Sequence, residues 1–390
     1  MQVSHSKIET FKLCPKKYDL RYNHRIVPKK YFSALMFGIA IDDAINLILL
    51  QKLVNPTEKQ KTRLAKLKRD KEYPYRLFDN VFAFQKPFEN TLNDTGTKVD
   101  SIDVRKDWRC EYFPSDFDGD LLEAEDLKVL KKYIKSAGYA EKDPITLWNL
   151  LNNEIKSKKK LDLIGKEFYN YCCFLSLRRK ARVLLDLFTN EVLPKIKEVH
   201  SLQERVSLVN EDGDTLIGFI DITGILEGED FVRVIDIKTS GARYALNSVK
   251  ESQQLGIYTE YKNTDKGAYI VLLKKPKITE IYKCFSDDCI NGDVGDEFKG
   301  KRRKKCPECK EELFLDRIEK DYEYQIVVDE ISDETKDLLF DEISDIVEEM
   351  ESEVYEEDRG NCFHFGKKCD YYDLCRTGSM EDLLNKGKRK

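Results

Sequence analysis

Three ionisable side chains have the types and spacing for hydrolytic chemistry. Asp221 lies in the run GFIDITG, and Asp236 and Lys238 lie in VIDIKTS, with the turn sequence EGED between the two runs. Both runs are rich in β-branched residues and read as strands. Side chains two apart on a strand project from one face, so Asp236 and Lys238 should lie side by side. If the strands pair through the EGED turn, Asp221 comes beside Asp236. Two carboxylates on an otherwise apolar strand pair are costly unless a cation neutralises them. Mg²⁺ or Mn²⁺ takes such oxygen ligands, and the backbone carbonyl of Ile237 offers one more. A lysine two residues on can position a metal-bound water or help to deprotonate it. A pair of salt-bridged acids at strand ends is the plainer alternative, and the bare Asp…Asp-x-Lys spacing does not exclude it. The context favours a site: strand, turn and strand are followed by a helix that carries Gln254 and Tyr258 four residues apart on one face.

A second chemistry is suggested by eleven cysteines. In a reducing compartment they call for another explanation than disulfides. Cys284-x4-Cys289 and Cys306-x2-Cys309, sixteen residues apart, have zinc-ribbon spacing, since each pair can close on a tetrahedral Zn²⁺ from a tight turn. The basic residues 301–305 fall in the ribbon's loop, where DNA contact and a purely structural role are both open. Cys362-x6-Cys369-x5-Cys375 supplies three thiolates, and Cys14 stands alone near the start. Cys110, Cys172 and Cys173 read as ordinary core cysteines.

The elements that must position these groups can be read more coarsely. The 390 residues suggest two or three domains, or one domain with large insertions. With 41% hydrophobic residues, 20 Tyr and 20 Phe, the chain can build a real core, which excludes a disordered protein. No apolar run reaches the ~18 residues needed to cross a bilayer, and the start lacks the apolar stretch of a signal peptide. The expectation is a soluble, cytoplasmic protein that does not engage a membrane. The net charge of −5 hides segregation: residues 341–360 carry ten acids against one Arg, leaving 66 bases and 62 acids, or +4, elsewhere. Basic runs at 158–160, 178–182 and 301–305 are candidates to hold phosphates, with a solvated face as the plainer reading.

Along the chain, a short helix is expected from about Ser6 and a second after Phe37. Residues 55–202 read as mostly helical and Lys-rich, with Tyr169, Tyr171 and Phe174 either in the core or stacking on single-stranded bases. After Glu204 the texture turns to strands: three in a meander, a helix, then the strand GAYIVLLKK. A Cys-bearing insertion, the strand YEYQIVV, an acidic helix and a Cys-rich basic tail complete the chain. This order points to an α/β fold with a mixed sheet flanked by helices. The expected parts are 1–54 (N-terminal helical part), 55–202 (helical insertion), 203–279 (core), 280–316 (zinc-ribbon insertion), 317–358 (last core strand and acidic helix) and 359–390 (C-terminal cysteine segment and basic tail).

GFIDITG, VIDIKTS and QLGIY together resemble the RecB-like branch of the PD-(D/E)xK nucleases, which includes CRISPR-associated adaptation exonucleases and AddB-type nuclease domains. The start, SHSKIETFKLCPKKYDLRY with its Cys-Pro, is similar as well, and is followed by a Gly-x-x-x-His-like motif. Here Gly38 is followed by Asp42 where the family usually places a metal-ligating His; Asp can still ligate Mg²⁺, and neighbouring Asp43 is an alternative. The resemblance implies a restriction-endonuclease-like core, Asp221 and Asp236 as metal ligands with Asp42, Lys238 as the catalytic lysine, and Gln254 and Tyr258 supporting the DNA or the site. It also implies that Cys14 joins Cys362, Cys369 and Cys375 around a 4Fe–4S cluster, with structural Zn²⁺ or unmetallated buried cysteines as the alternatives. The implied function is a metal-dependent deoxyribonuclease, an exonuclease on single-stranded DNA or DNA ends in replication, recombination or repair. Two rivals are a catalytically weak DNA-binding or scaffold subunit and an RNA-processing enzyme. No Walker-type loop occurs, so helicase activity would come from a partner.

Overall fold

The computed structural model describes residues 1–28, 31–82, 108–109, 123–136, 146–147, 163–209, 213–284, 298–299, 305–306, 309–366, 368–381 and 383–386. Its centre is a six-stranded mixed sheet. The first strand, β1 (Gln2–Ser4), runs into helix α1 (His5–Leu13). The expected meander is present: β2 (Ile196–Val209) pairs antiparallel with β3 (Thr215–Leu226), and β3 with β4 (Arg233–Ser240). Helix α6 (Gln253–Tyr261) crosses over to β5 (Lys266–Leu273), which lies parallel to β4, and β6 (Tyr324–Glu330) closes the sheet antiparallel to β5. β2 begins well before Glu204, because its first half buries Ile196 and Val199 while Lys197 and His200 face solvent, so its charged face masks the strand.

Helices cover both faces. Along β5, Ala268, Ile270 and Leu272 pack with α2 (Ser33–Leu49), α4 (Tyr73–Val81) and α5 (Leu163–Leu187). The alternate residues Tyr269, Val271 and Leu273 pack with α1, α6 and α7 (Asp333–Glu351). This is the period-two division of a sheet buried on both sides. α2 starts at Ser33, ahead of the Phe37 expected from the pattern, and its stripe Phe37, Ala40, Ile41, Ala44, Ile45 and Ile48 lies in the core. Between 55 and 202, Phe78, Phe82, Cys172, Cys173 and Phe174 enter that same core, and Phe82 stacks on Phe174 at 5.3 Å. Cys172 and Cys173 are therefore core cysteines, and Phe174 with half-buried Tyr171 packs rather than stacks on bases. Cys110 and the Tyr169 side chain lie outside the described residues.

The basic run 178–182 is corrected. Arg178 donates two hydrogen bonds to Asp79 (2.7 and 2.8 Å), Arg179 reaches Asp126 and Glu123 (both 2.8 Å), and Arg182 reaches Glu72 and Asp79 (both 3.4 Å). These guanidinium groups hold helices together and are not available to phosphates. Residues 158–160 and 301–304 lie outside the described residues. None of the described helices is long and apolar enough to cross a membrane.

One feature of the sheet prepares the site. The same side of β3 is shared by two strands: β1 pairs parallel with Thr215–Ile217, and β4 pairs with Ile222–Gly224. Between them the strands fork, and among the described residues the stretch around Phe219–Asp221 has no neighbouring strand on that side. Backbone groups freed there need other partners.

Candidate active site

Side chains fill the fork. The Phe219 N–H donates to the Tyr258 hydroxyl at 3.3 Å, and the Ile237 N–H donates to Asp221 Oδ2 at 3.0 Å. Asp221 thereby comes beside Asp236, whose carboxylate is almost fully buried on β4. Lys238, two residues on, brings Nζ to 2.7 Å from Asp236 Oδ2 and also donates to Gln254 Oε1 at 3.3 Å. Gln254 Nε2 in turn donates to Asp236 Oδ1 at 3.0 Å and to the Tyr258 hydroxyl at 3.3 Å. Gln254 and Tyr258 are one turn apart on α6, which is capped by Ser252 accepting from the Leu255 N–H. The period of two on β4 and of one turn on α6 thus converges on one carboxylate.

The glycine of GFIDITG has a packing reason. A Cβ on Gly218 would stand 2.7 Å from Tyr258 Cε1 and 2.8 Å from its hydroxyl, and Tyr258 is buried. Gly218→Ala should displace the ring, break its bonds to Gln254 and Phe219, and lower stability by about 1–3 kcal/mol. Chemical denaturation with activity measured alongside would check this; an alanine variant of wild-type stability would show that the ring has room to move.

α2 supplies a third carboxylate. Gln203 donates its side-chain N–H to Asp42 Oδ2 at 3.3 Å and to Asp221 Oδ1 at 3.1 Å, so an amide sits between the two acids. Gln203 has φ 50°, a left-handed backbone that turns its side chain into this gap. Asp43 instead is exposed. Gln203 was not among the residues picked out by sequence spacing, and neither was His5, half-buried at the start of α1, whose imidazole is held below its usual pKa by partial burial.

The electrostatics show what the cluster lacks. Burial, and then the neighbouring Asp221, push the Asp42 carboxyl up to about 8 and the Asp236 carboxyl up to about 7. Burial raises Asp221 as well. Burial works against the Lys238 ammonium, yet Asp236 and Asp221 outweigh it and hold it above its ordinary value. One lysine faces three acids, and among the described residues it forms an ion pair with Asp236 Oδ2 alone of their oxygens. Hard oxygen donors and an excess of negative charge in a largely buried cluster fit a small divalent cation.

A family model of the PD-(D/E)XK nuclease superfamily matches residues 128–376, well over half of the chain. The chain belongs to the PD-(D/E)XK nuclease superfamily. Its mixed sheet flanked by helices is the fold of that superfamily, whose members are typically divalent-metal phosphodiester hydrolases. The matched span contains Asp221, Asp236, Lys238, Gln254, Tyr258 and the C-terminal cysteines, whereas Asp42 and Cys14 precede it. No curated protein and no solved structure gives a match.

This PD-(D/E)XK chain carries its cysteines in two places. Cys284, Cys306 and Cys309 place their sulfurs within 4.8 Å of one another, with Cys284 and Cys309 at 3.6 Å, and form a group able to hold a metal ion. The Lys310 N–H donates to Cys306 O at 3.1 Å, with Lys310 at φ 63°. Cys289 lies outside the described residues. Near the chain ends, Cys14, Cys362, Cys369 and Cys375 line one cavity of about 200 Å³. Around it, Asn361 donates to Leu13 O at 3.0 Å, Tyr371 donates to Ile26 O at 2.8 Å, and residues Leu383–Asn385 pair with Ile26–Pro28. Burial, then Glu357, pushes the Cys375 thiol up to about 11, and burial raises Cys369.

Proposed function

We propose that this protein is a divalent-metal-dependent deoxyribonuclease, acting as an exonuclease on single-stranded DNA or DNA ends in replication, recombination or repair. The observation that carries this reading is the fork, where Asp221, Lys238 and Gln254 gather around the buried Asp236 carboxylate and one lysine faces three acids. Asp42, Asp221, Asp236 and the Ile237 carbonyl would hold Mg²⁺ or Mn²⁺, which supplies Lewis-acid stabilisation of the phosphate and lowers the pKa of water. Asp236 fixes Lys238, and Gln254 holds both, so the ammonium faces the phosphodiester at a set position. Tyr258 keeps Gln254 in place and anchors β3. An aspartate at position 42, in place of the family's usual histidine, makes the donor set entirely oxygen and suits Mg²⁺.

The end cysteines are read as a 4Fe–4S site. Thiolates sharing one zinc stand roughly 3.8 Å apart, given a Zn–S bond of ~2.3 Å, whereas a cubane seats each thiolate on a different iron. No three of Cys14, Cys362, Cys369 and Cys375 come together within 4.8 Å, although all four line the one cavity. The closer Cys284, Cys306 and Cys309, with Cys289, are read as a zinc ribbon. A helicase or another recombination protein is the expected partner.

The test is cleavage of end-labelled single- and double-stranded DNA, with matched RNA, by anaerobically purified protein in Mg²⁺ or Mn²⁺. Lys238→Ala should lower the rate by ~10²–10³-fold, as expected when a preorganised cation is lost. No cleavage by the wild type, combined with DNA binding, would favour the scaffold reading.

A further inference from the structure

Helix α3 (Glu58–Arg69) has two faces of opposite character. Leu64 and Leu67 pack against Leu47, Leu50 and Leu202, so the helix docks beside Gln203 and the end of α2 that follows Asp42 and Asp43. The rest is cationic: Lys59, Lys61, Arg63, Lys66, Lys68 and Arg69 against the single acid Glu58. Nearby acids are occupied: Glu58 by Lys61, Asp70 by Arg76 and Glu72 by Arg182. Lys66 lies over the Tyr73 ring at 4.1 Å. Lys59, Arg63, Lys68 and Arg69 form no ion pair within 4 Å among the described residues. This is the reverse of the 178–182 run, whose arginines are taken up by internal acids. Arg63 immediately precedes Leu64, which packs into the cluster holding Leu47 of α2 and Leu202, the neighbour of Gln203.

A row of uncompensated cations beside an acidic hydrolytic centre matches one kind of ligand, a polyanion whose scissile bond is at the carboxylates and whose next phosphates run outward. We propose that α3 is a phosphate track for the nucleic-acid strand, with Arg63 as its first contact beyond the carboxylates. This inference rests on the nuclease reading and adds the path the substrate takes. It uses backbone phosphates, the chemistry shared by DNA and RNA.

The experiment measures binding of fluorescent single-stranded DNA and RNA oligonucleotides of one sequence to the full chain in EDTA, across a salt series, with cleavage in Mg²⁺ measured in parallel. The track variant is K59Q/R63Q/K68Q/R69Q, with R63Q alone as a milder second. The control is K128Q/K131Q/K132Q/K135Q, which removes equal charge from exposed positions of the helix Ala124–Ser136. The track variant should bind at least ~10-fold more weakly near 0.1 M salt, and the slope of log affinity against log salt should flatten by about 0.7 for each lost single-strand contact. The control should keep wild-type affinity, and the RNA arm shows whether the track discriminates the sugar. Equal weakening of both variants, or none in either, overturns the track. If the wild type cleaves and binds while the track variant matches it, only this inference falls; if the wild type neither binds nor cleaves, the nuclease reading falls with it.

Discussion

Asp42→Asn is expected to raise the melting temperature of the metal-free protein at pH 8 while lowering Mg²⁺-dependent cleavage by about two orders of magnitude or more. The sign follows from the raised carboxyls. In the fold Asp42 holds its proton up to about 8, and an unfolded Asp releases it near 3.8. Between those values the folded state binds more protons than the unfolded one, so stability falls as pH rises through that window. Above it the repulsion is complete. Each pKa unit corresponds to about 1.4 kcal/mol, but relaxation around half-open Asp42 reduces the total, and a gain of ~2 kcal/mol for the asparagine is a reasonable size. The introduced side-chain amide can still accept from Gln203 and leaves the Lys238–Gln254–Asp236 network intact. Differential scanning calorimetry in EDTA at pH 5 and pH 8 measures it. The variant should be less pH-sensitive than the wild type, and excess Mg²⁺ should stabilise the wild type more. A variant less stable than the wild type at pH 8 in EDTA would mean that the acids are not in conflict.

The second large effect is expected at the other end of the molecule. On the proposed 4Fe–4S reading, Cys14→Ser should abolish iron and sulfide loading, because a cubane needs its fourth thiolate and the other three all belong to the C-terminal segment. Apparent stability should fall by about 3 kcal/mol or more, since metal binding to a fold-dependent site is folding free energy. The loss should be regional. The sheet has its own two cores, whereas the segment around Cys362–Cys375 rests on a small cluster of Leu20, Ile26, Tyr371 and Leu383 and a few hydrogen bonds. Hydrogen exchange should therefore quicken at residues 354–386 and 14–28 and stay slow in β4 and β5. Metal analysis decides the chemistry: zinc in stoichiometric amount, with no iron, would remove the cluster, and unchanged exchange would remove the staple.

Much of the candidate site was legible because it obeys local periods. Asp236 and Lys238 fall on one strand face, Gln254 and Tyr258 on one helix face, and the EGED turn brings Asp221 across. Gln203 was not legible. It arrives from the neighbouring strand, and only long-range pairing together with a left-handed backbone turns it between Asp42 and Asp221. The arginines at 178–182 misled for a related reason: their partners Glu72, Asp79 and Asp126 are remote in sequence, so a paired network looked like an open basic run. The first half of β2 was hidden by its charged outward face.

The fork in the sheet bears on how such a chain can change over generations. Asp221 and Tyr258 each satisfy a main-chain N–H that the diverging strands leave behind. A descendant that had abandoned hydrolysis and served only as a scaffold would still be under selection to keep both, because losing either leaves a backbone group unpaired in the interior. Their persistence in a lineage is thus a poor witness to activity. Lys238 satisfies no main-chain group: its partners are the side chains Asp236 and Gln254, so its loss is tolerated once the Asp236 carboxylate is itself replaced or protonated. Among relatives that have drifted towards inactivity, the lysine should be the first of these residues to disappear, and its retention is the more telling mark of an enzyme still at work.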